Sequence, residues 1–131
     1  MSRRTFTEID MYVNSYLLIR KRFPLSNGYE IRPQDTSKIG YRPDFIVYKH
    51  TIDNYTGSSF FEKNIIEVKA TSIITPSHIR QINRYSKNHS GKSSYIIGKY
   101  LIIPSFTDIS GVRHLLVKSG IKVIRLRGFK R

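Results

Sequence analysis

The chain has 131 residues and no cysteine, and 23 Lys and Arg against nine Asp and Glu give it a net charge of +14. That length suits one domain, residues 1–131, able to bury roughly two-thirds of its unfolded surface and to fold without cross-links. The missing cysteines exclude disulfides, thiolate zinc sites and cysteine nucleophiles together. They fit a reducing, cytoplasmic setting, and with the abundance of Ile, Tyr, Lys and Arg they also fit a thermophile, archaeal or viral. The basic start Met1-Ser2-Arg3-Arg4 runs into Thr7-Glu8-Ile9-Asp10 rather than into an apolar signal. No stretch approaches the ~20 apolar residues that span a bilayer, so an intracellular protein without a membrane partner is expected. So large a positive excess gathers polyanions, of which nucleic-acid backbones are the commonest. A merely soluble basic protein or a membrane-surface binder would carry the same charge, so the chemistry has to come from elsewhere in the chain.

In chain order, residues 7 to 22 read as a helix. Thr7 can cap it with Asp10 three residues on, and Ile9, Tyr12, Val13, Tyr16 and Leu17 form a stripe predicted to be buried. Arg20-Lys21-Arg22 suits the negative end of its dipole, and Pro24 prevents continuation. Ser26-Asn27-Gly28 is a turn and Tyr29 to Arg32 a short strand. Asp44 to Lys49 and Phe60 to Ala70 are two stronger strands, predicted to pair antiparallel across a loop at residues 50–59. Pro76 suits the first position of a helix capped by Thr75 and running to about His89. Tyr95 to Ile103 is a strand with a bend at Gly98. A helix from about Ser110 to Ser119 ends at Gly120, and Lys122 to Leu126 is the last strand. The order αβββαβαβ predicts a single α/β domain, a mixed sheet flanked by helices.

Two strands carry charges where a half-buried strand would avoid them. Pro43-Asp44-Phe45-Ile46-Val47 places a carboxylate at the start of an apolar run, and Ile65-Ile66-Glu67-Val68-Lys69-Ala70 places a carboxylate and an amine two apart within another. Side chains alternate along a strand, so Glu67 and Lys69 share one face while Ile66, Val68 and Ala70 line the other. Burying ions costs several kcal/mol each unless they are paired or hold a metal. Alone, Glu-x-Lys on a strand is an ordinary surface ion pair. The preceding Pro-Asp, the Ile-Ile lead-in and the helix before both set this instance apart.

Pro43-Asp44 followed by Glu67-Val68-Lys69, in this element order, resembles the PD-(D/E)XK nuclease superfamily (the restriction endonuclease-like fold), and the resemblance covers nearly the whole chain. It implies that Asp44 and Glu67 ligate one or two Mg2+ or Mn2+ ions, with the Val68 carbonyl as a further oxygen ligand. Lys69 would orient or help deprotonate the attacking water. Hard cations do prefer carboxylate oxygen and can hold a phosphate through its transition state. Gln81 and Tyr85, one helical turn apart, resemble the Gln-x-x-x-Tyr element that positions DNA in exonuclease-type relatives. A core Tyr with a solvated Gln fits the same spacing. Glu8 is placed like the first-helix Glu that completes the metal site in archaeal Holliday-junction resolvases, although acids in a first turn also simply complement the dipole. Arg80, Arg84 and Lys87 on the outer face of that second helix are candidate phosphate contacts or plain solvated charges, as is the basic edge Arg125, Arg127, Lys130 and Arg131.

The expectation is therefore a metal-dependent DNA endonuclease acting on duplex or branched DNA, a resolvase-like homodimer in one form. The resolvase pattern has a tighter hairpin than residues 50–59 allow. Exonuclease-type, restriction or mobile-element nucleases of the same fold stay open, as do RNA cleavage and a non-catalytic nucleic-acid-binding protein. The four histidines show no metal spacing, and no phosphate-binding Gly loop or nucleophile elbow is present.

Overall fold

The computed structural model describes residues 8–33, 44–91 and 93–128, with side chains from Asp10 onward in the first helix. Its elements run α1 (Glu8–Arg22), a 3-10 turn (Leu25–Asn27), β1 (Tyr29–Pro33), β2 (Phe45–Ile52), β3 (Ser59–Val68), α2 (Pro76–His89), β4 (Ser94–Pro104), α3 (Arg113–Ser119) and β5 (Ile121–Leu126). The strands form one sheet in the order β1-β2-β3-β4-β5, antiparallel as far as β3 and parallel from there on. The six-residue β2–β3 connection, residues 53–58, permits antiparallel neighbours. The parallel steps need crossovers, which α2 and α3 provide.

The helices divide between the two faces. On one, Met11 and Ile19 of α1 pack against Phe45, Val47, Ile66, Val68 and Ile102. On the other, Ile79, Ile82 and Leu116 of α2 and α3 meet Leu101 and Ile103, and Tyr85 meets Ile46 and Ile65. Alternation along β3 thus sends Ile66 and Val68 to the α1 side and Glu67 to the α2 side. Both faces are covered at one end of the sheet, where residues 45–47, 64–68 and 100–104 are buried in continuous runs, while the other ends of β2, β3 and β4 are more exposed. Among the described residues no helix is long and apolar enough to cross a membrane.

Four expectations need correction. The buried line of α1 is Met11, Ser15 and Ile19, whereas Val13 is 71% and Leu17 60% exposed. The helix is rotated by about one residue from the predicted stripe. The β2–β3 pairing continues to Ile52↔Ser59, so the connection is residues 53–58 rather than 50–59. It closes tightly: the Gly57 N–H donates to the Asp53 carbonyl at 2.8 Å, with Gly57 at φ +73°, a conformation Gly adopts without penalty. The third helix starts at Arg113 rather than Ser110, because the preceding backbone is used elsewhere. Asp108 donates its N–H to the Ser72 carbonyl, and its own carbonyl accepts from Ile74. Arg125, read as part of a basic edge, donates Nη1 to the Ser105 and Thr107 carbonyls at 3.1 and 2.8 Å, and so anchors that loop. The Thr7 cap lies outside the described residues.

The bend at Gly98 is a β-bulge. Lys63 pairs with Ile96, but the next rung joins Asn64 to Gly98, leaving Ile97 as the extra residue. A Cβ on Gly98 would sit 2.6 Å from Asn64 Oδ1 and 2.9 Å from the Tyr100 ring. Any larger residue there would force the buried Asn64 and Tyr100 side chains to shift.

Candidate active site

The β2–β3 register places the first rung beyond Phe45↔Ile66 at Asp44 and Glu67, so antiparallel pairing brings these two carboxylates to one end of the sheet. Both are buried, Asp44 at 8% and Glu67 at 4% exposure. Asp44 Oδ1 accepts a hydrogen bond from the Tyr12 hydroxyl at 2.6 Å, and Oδ2 accepts one from the Val68 N–H at 2.7 Å. The carboxylate thus takes the place of a ladder partner for Val68 and ties α1 to the sheet. Lys69 follows on the Glu67 side, with Nζ 3.7 Å from Glu67 Oε1.

Tyr85 approaches from α2. Burial first, then the charges of Glu67 and Asp44, push its hydroxyl pKa up to about 12. A phenol kept neutral beside both carboxylates is suited to donating a hydrogen bond, never to acting as a base near neutral pH. His78 lies two turns earlier on the same face of α2. Its pKa is lowered by burial and then by the Lys69 charge. Its Nδ1 accepts from the Thr75 N–H at 3.0 Å, which places the ring proton on Nε2.

Lys69, Ser77, His78, Arg80, Gln81 and Arg84 surround a cavity of about 360 Å3. On the α1 side an apolar cleft of about 400 Å3 reaches Asp44 between Tyr12, Tyr16 and Phe45. The structure thus brings Asp44, Glu67 and Lys69 to one strand end, with Gln81 on the wall of the cavity that Lys69 opens into. The two halves of the Gln81/Tyr85 pair separate. Gln81 is half-buried at that wall, whereas Tyr85 is a core residue against Ile46 and Ile65. Glu8 opens α1 one turn before Tyr12, and its side chain lies outside the described residues.

The donor set is chemically suited to a hard divalent cation: two buried carboxylates face one ammonium, an excess of negative charge offered through oxygen alone. Among the described residues, no three His, Asp or Glu side chains gather at a common point. Further oxygen donors would come from water, the Val68 carbonyl or Glu8. Tyr12 was missed by sequence reasoning because a Tyr in a helical apolar stripe reads as core. Its polar tip, four residues after Glu8, was the available signal.

No family model and no curated protein sequence matches the chain. Among solved structures, the restriction endonuclease MspJI, in complex with a 27-mer oligonucleotide, aligns over 92% of this chain and 25% of its own, with a TM-score of 0.51 and 13% identity. A repair endonuclease from Pyrococcus abyssi aligns over 97% of this chain and 50% of its own, with a TM-score of 0.48 and 18% identity. The chain therefore spans a quarter to a half of the length of these two proteins. At such identities a likeness is one of architecture, and with its five-stranded mixed sheet between α1 and the α2–α3 pair, the chain has a restriction endonuclease-like fold.

Proposed function

We propose that the chain is a divalent-metal-dependent nuclease that hydrolyses phosphodiester bonds in DNA at the β2–β3 strand ends. The observation that carries this reading is the juxtaposition of buried Asp44 and Glu67, with Lys69 paired to Glu67, at the rim of a basic cavity. One or two Mg2+ or Mn2+ ions, held by Asp44 and Glu67 with the Val68 carbonyl and Glu8 as further donors, would polarise a phosphoryl oxygen and offset the charge of the pentacovalent transition state.

The remaining roles belong to the chain itself. Lys69 orients the attacking water, whose oxygen bonds to phosphorus as one P–O ester bond breaks and the leaving sugar oxygen takes a proton from solvent. The proton that the water loses passes to a base or to solvent at the cavity mouth. Gln81 donates its amide to the strand and positions it, and Arg80 and Arg84 hold flanking phosphates. Tyr12 and the Val68 amide fix the Asp44 carboxylate, while Tyr85 closes the carboxylate pair off from the core.

The core position of Tyr85 removes half of the support for an exonuclease-type site and favours an endonuclease. The tight 53–58 connection removes the departure from the resolvase pattern, so branched DNA is the substrate form to test first. Symmetric cutting of two strands calls for a two-fold pair of sites, hence a homodimer.

The test incubates the protein with Mg2+ or Mn2+ and linear duplex, single-stranded or four-way-junction DNA, beside Asp44→Ala and Lys69→Ala. Wild-type cutting should fall by ~100-fold or more in both variants, within the range for loss of a group assisting proton transfer or charge stabilisation. Cutting that survives Asp44→Ala would sink the site. Binding without cutting by wild type would leave a non-catalytic nucleic-acid-binding protein as the better reading.

A further inference from the structure

A second basic cavity lies on the far side of α2. It measures about 500 Å3 and opens between α2, β4 and α3, with Arg80, Lys99 and Lys118 among its lining residues and no Asp or Glu. Lys99 rises from β4 beneath α2, in the middle of the run Tyr95-Ile96-Ile97-Gly98-Lys99-Tyr100-Leu101, where an apolar residue would be the ordinary choice. Its ammonium is half-buried, and burial lowers its pKa. It donates to Asn83 Oδ1 at 3.1 Å, and Asn83 in turn donates Nδ2 to Ser119 Oγ at 3.0 Å.

This chain of bonds orients the amide and the hydroxyl but does not neutralise the ammonium. A neutral amide oxygen satisfies one N–H and leaves the charge uncompensated, which is costly in a partly desolvated position. Ser119 Oγ accepts from Asn83, so its own hydrogen can point to a ligand. Lys99, Ser119 and Lys118 therefore offer donors to one oxyanion. Arg80 lines this cavity and also the one that Lys69 opens into. The two cavities share a wall residue, so a repeating polyanion can run from one to the other where a single small anion would fill only one.

We propose that the groove between α2 and α3 is a second nucleic-acid contact, binding a backbone phosphate through Lys99, Lys118 and Ser119, with Arg80 guiding the strand across α2 from the cleavage site. The assignment rests on the reading of DNA as substrate, and it specifies the path that the DNA takes.

The experiment separates the two ideas by measuring binding without cutting. The affinity of an Asp44→Ala protein for a fluorescent duplex is followed against salt in chelator, with Lys99→Gln or Lys118→Gln added, and with Lys21→Gln on the opposite side of the sheet as control. Each groove substitution should weaken binding alike for unrelated sequences and flatten the slope of log K against log salt by about 1, the signature of one lost phosphate contact. The control should leave the slope unchanged. Lys118 is exposed at the end of α3 and outside the Lys99–Asn83–Ser119 bonds, so Lys118→Gln tests the groove even if Lys99→Gln fails to fold. Slopes equal to the parent's in both groove variants would overturn the proposal and leave the cleavage site untouched. Flattened slopes in a protein whose wild type never cuts DNA would uphold the groove while the nuclease reading fails.

Discussion

Asp44 has its two oxygens engaged by different elements, Tyr12 of α1 at 2.6 Å and the Val68 amide of β3 at 2.7 Å. Hydrogen bonds to a buried charged group contribute about 1.5–3 kcal/mol each, and partners that orient a metal-binding carboxylate commonly change metal affinity 10–100-fold. Tyr12→Phe keeps the ring that packs edge-on against Phe45 and removes only the hydroxyl. It should lower unfolding stability in urea by about 1.5–3 kcal/mol and weaken Mn2+ binding by roughly ten-fold or more. An unchanged urea midpoint together with unchanged Mn2+ affinity would show that the hydroxyl does not hold the carboxylate. At this scale the sequence was legible where a charge within a short motif interrupted an apolar strand: Asp44, Glu67 and Lys69 all stand out that way. Lys99 interrupts a strand by the same logic and was passed over, because no short motif surrounded it. Tyr12 gave no such contrast, since its ring belongs to the apolar pattern and only its oxygen does the holding.

Among the elements, α2 carries both sides of the basic surface, and its start depends on a histidine. Thr75 and His78 cap the helix reciprocally, the Thr75 N–H bonding to the His78 Nδ1. Charging the ring requires a proton on that nitrogen and breaks the bond. Burial and the Lys69 charge already lower the His78 pKa below its ordinary value of 6.5. The unfolded chain, with an ordinary His, then binds more protons than the folded one in the window below 6.5. The stabilisation is complete above that pH and is lost as pH falls through the lower folded value. The thermal midpoint should therefore drop between pH 7 and 5 more steeply in wild type than in His78→Gln, and parallel profiles would refute the cap's role. Helix α2 was legible to its bounds because Thr-Pro opens it and Ser-Gly closes it. Helix α1 was legible in extent but not in rotation. Its apolar residues cover more than half the circumference, and the fully buried Ser15, which decides the rotation, is polar. Helix α3 was read too long, because Asp108 and its neighbours pair with residues 72–74. That long-range contact leaves no local mark.

At the scale of the molecule, the net charge of +14 acts on any nucleic acid before a particular side chain does. If Lys69, Arg80, Arg84, Lys99 and Lys118 each neutralise a phosphate, the wild-type slope of log K against log salt should be about −4 or steeper, and the affinity should vary little with sequence. A slope near zero would refute the charge argument altogether. The order αβββαβαβ was legible because strand and helix periods alternate cleanly along the chain. The pairing of β2 with β3, on which Asp44 depends, was legible in two apolar runs on either side of a Gly- and Asn-containing loop.

The bulge at Ile97 has a further consequence. A strand's side chains follow an odd–even rule, and one unpaired residue inverts it for everything downstream. Upstream of the bulge Ile96 packs on the α2 side with Ile46 and Ile65, and downstream Lys99 does so too, three positions later instead of two or four. Were Ile97 paired in turn instead of bulged, Lys99 would fall on the α1 side with Met11 and Ile19, and Tyr100 would take its place under Asn83. Parity at a single position decides that Lys99 and Glu67 lie on the same side of the sheet. Deleting residue 97 would therefore straighten the ladder and leave the downstream faces as they are. Closing the bulge with all residues kept is instead a frame error in three dimensions, one that exchanges the two faces of the strand.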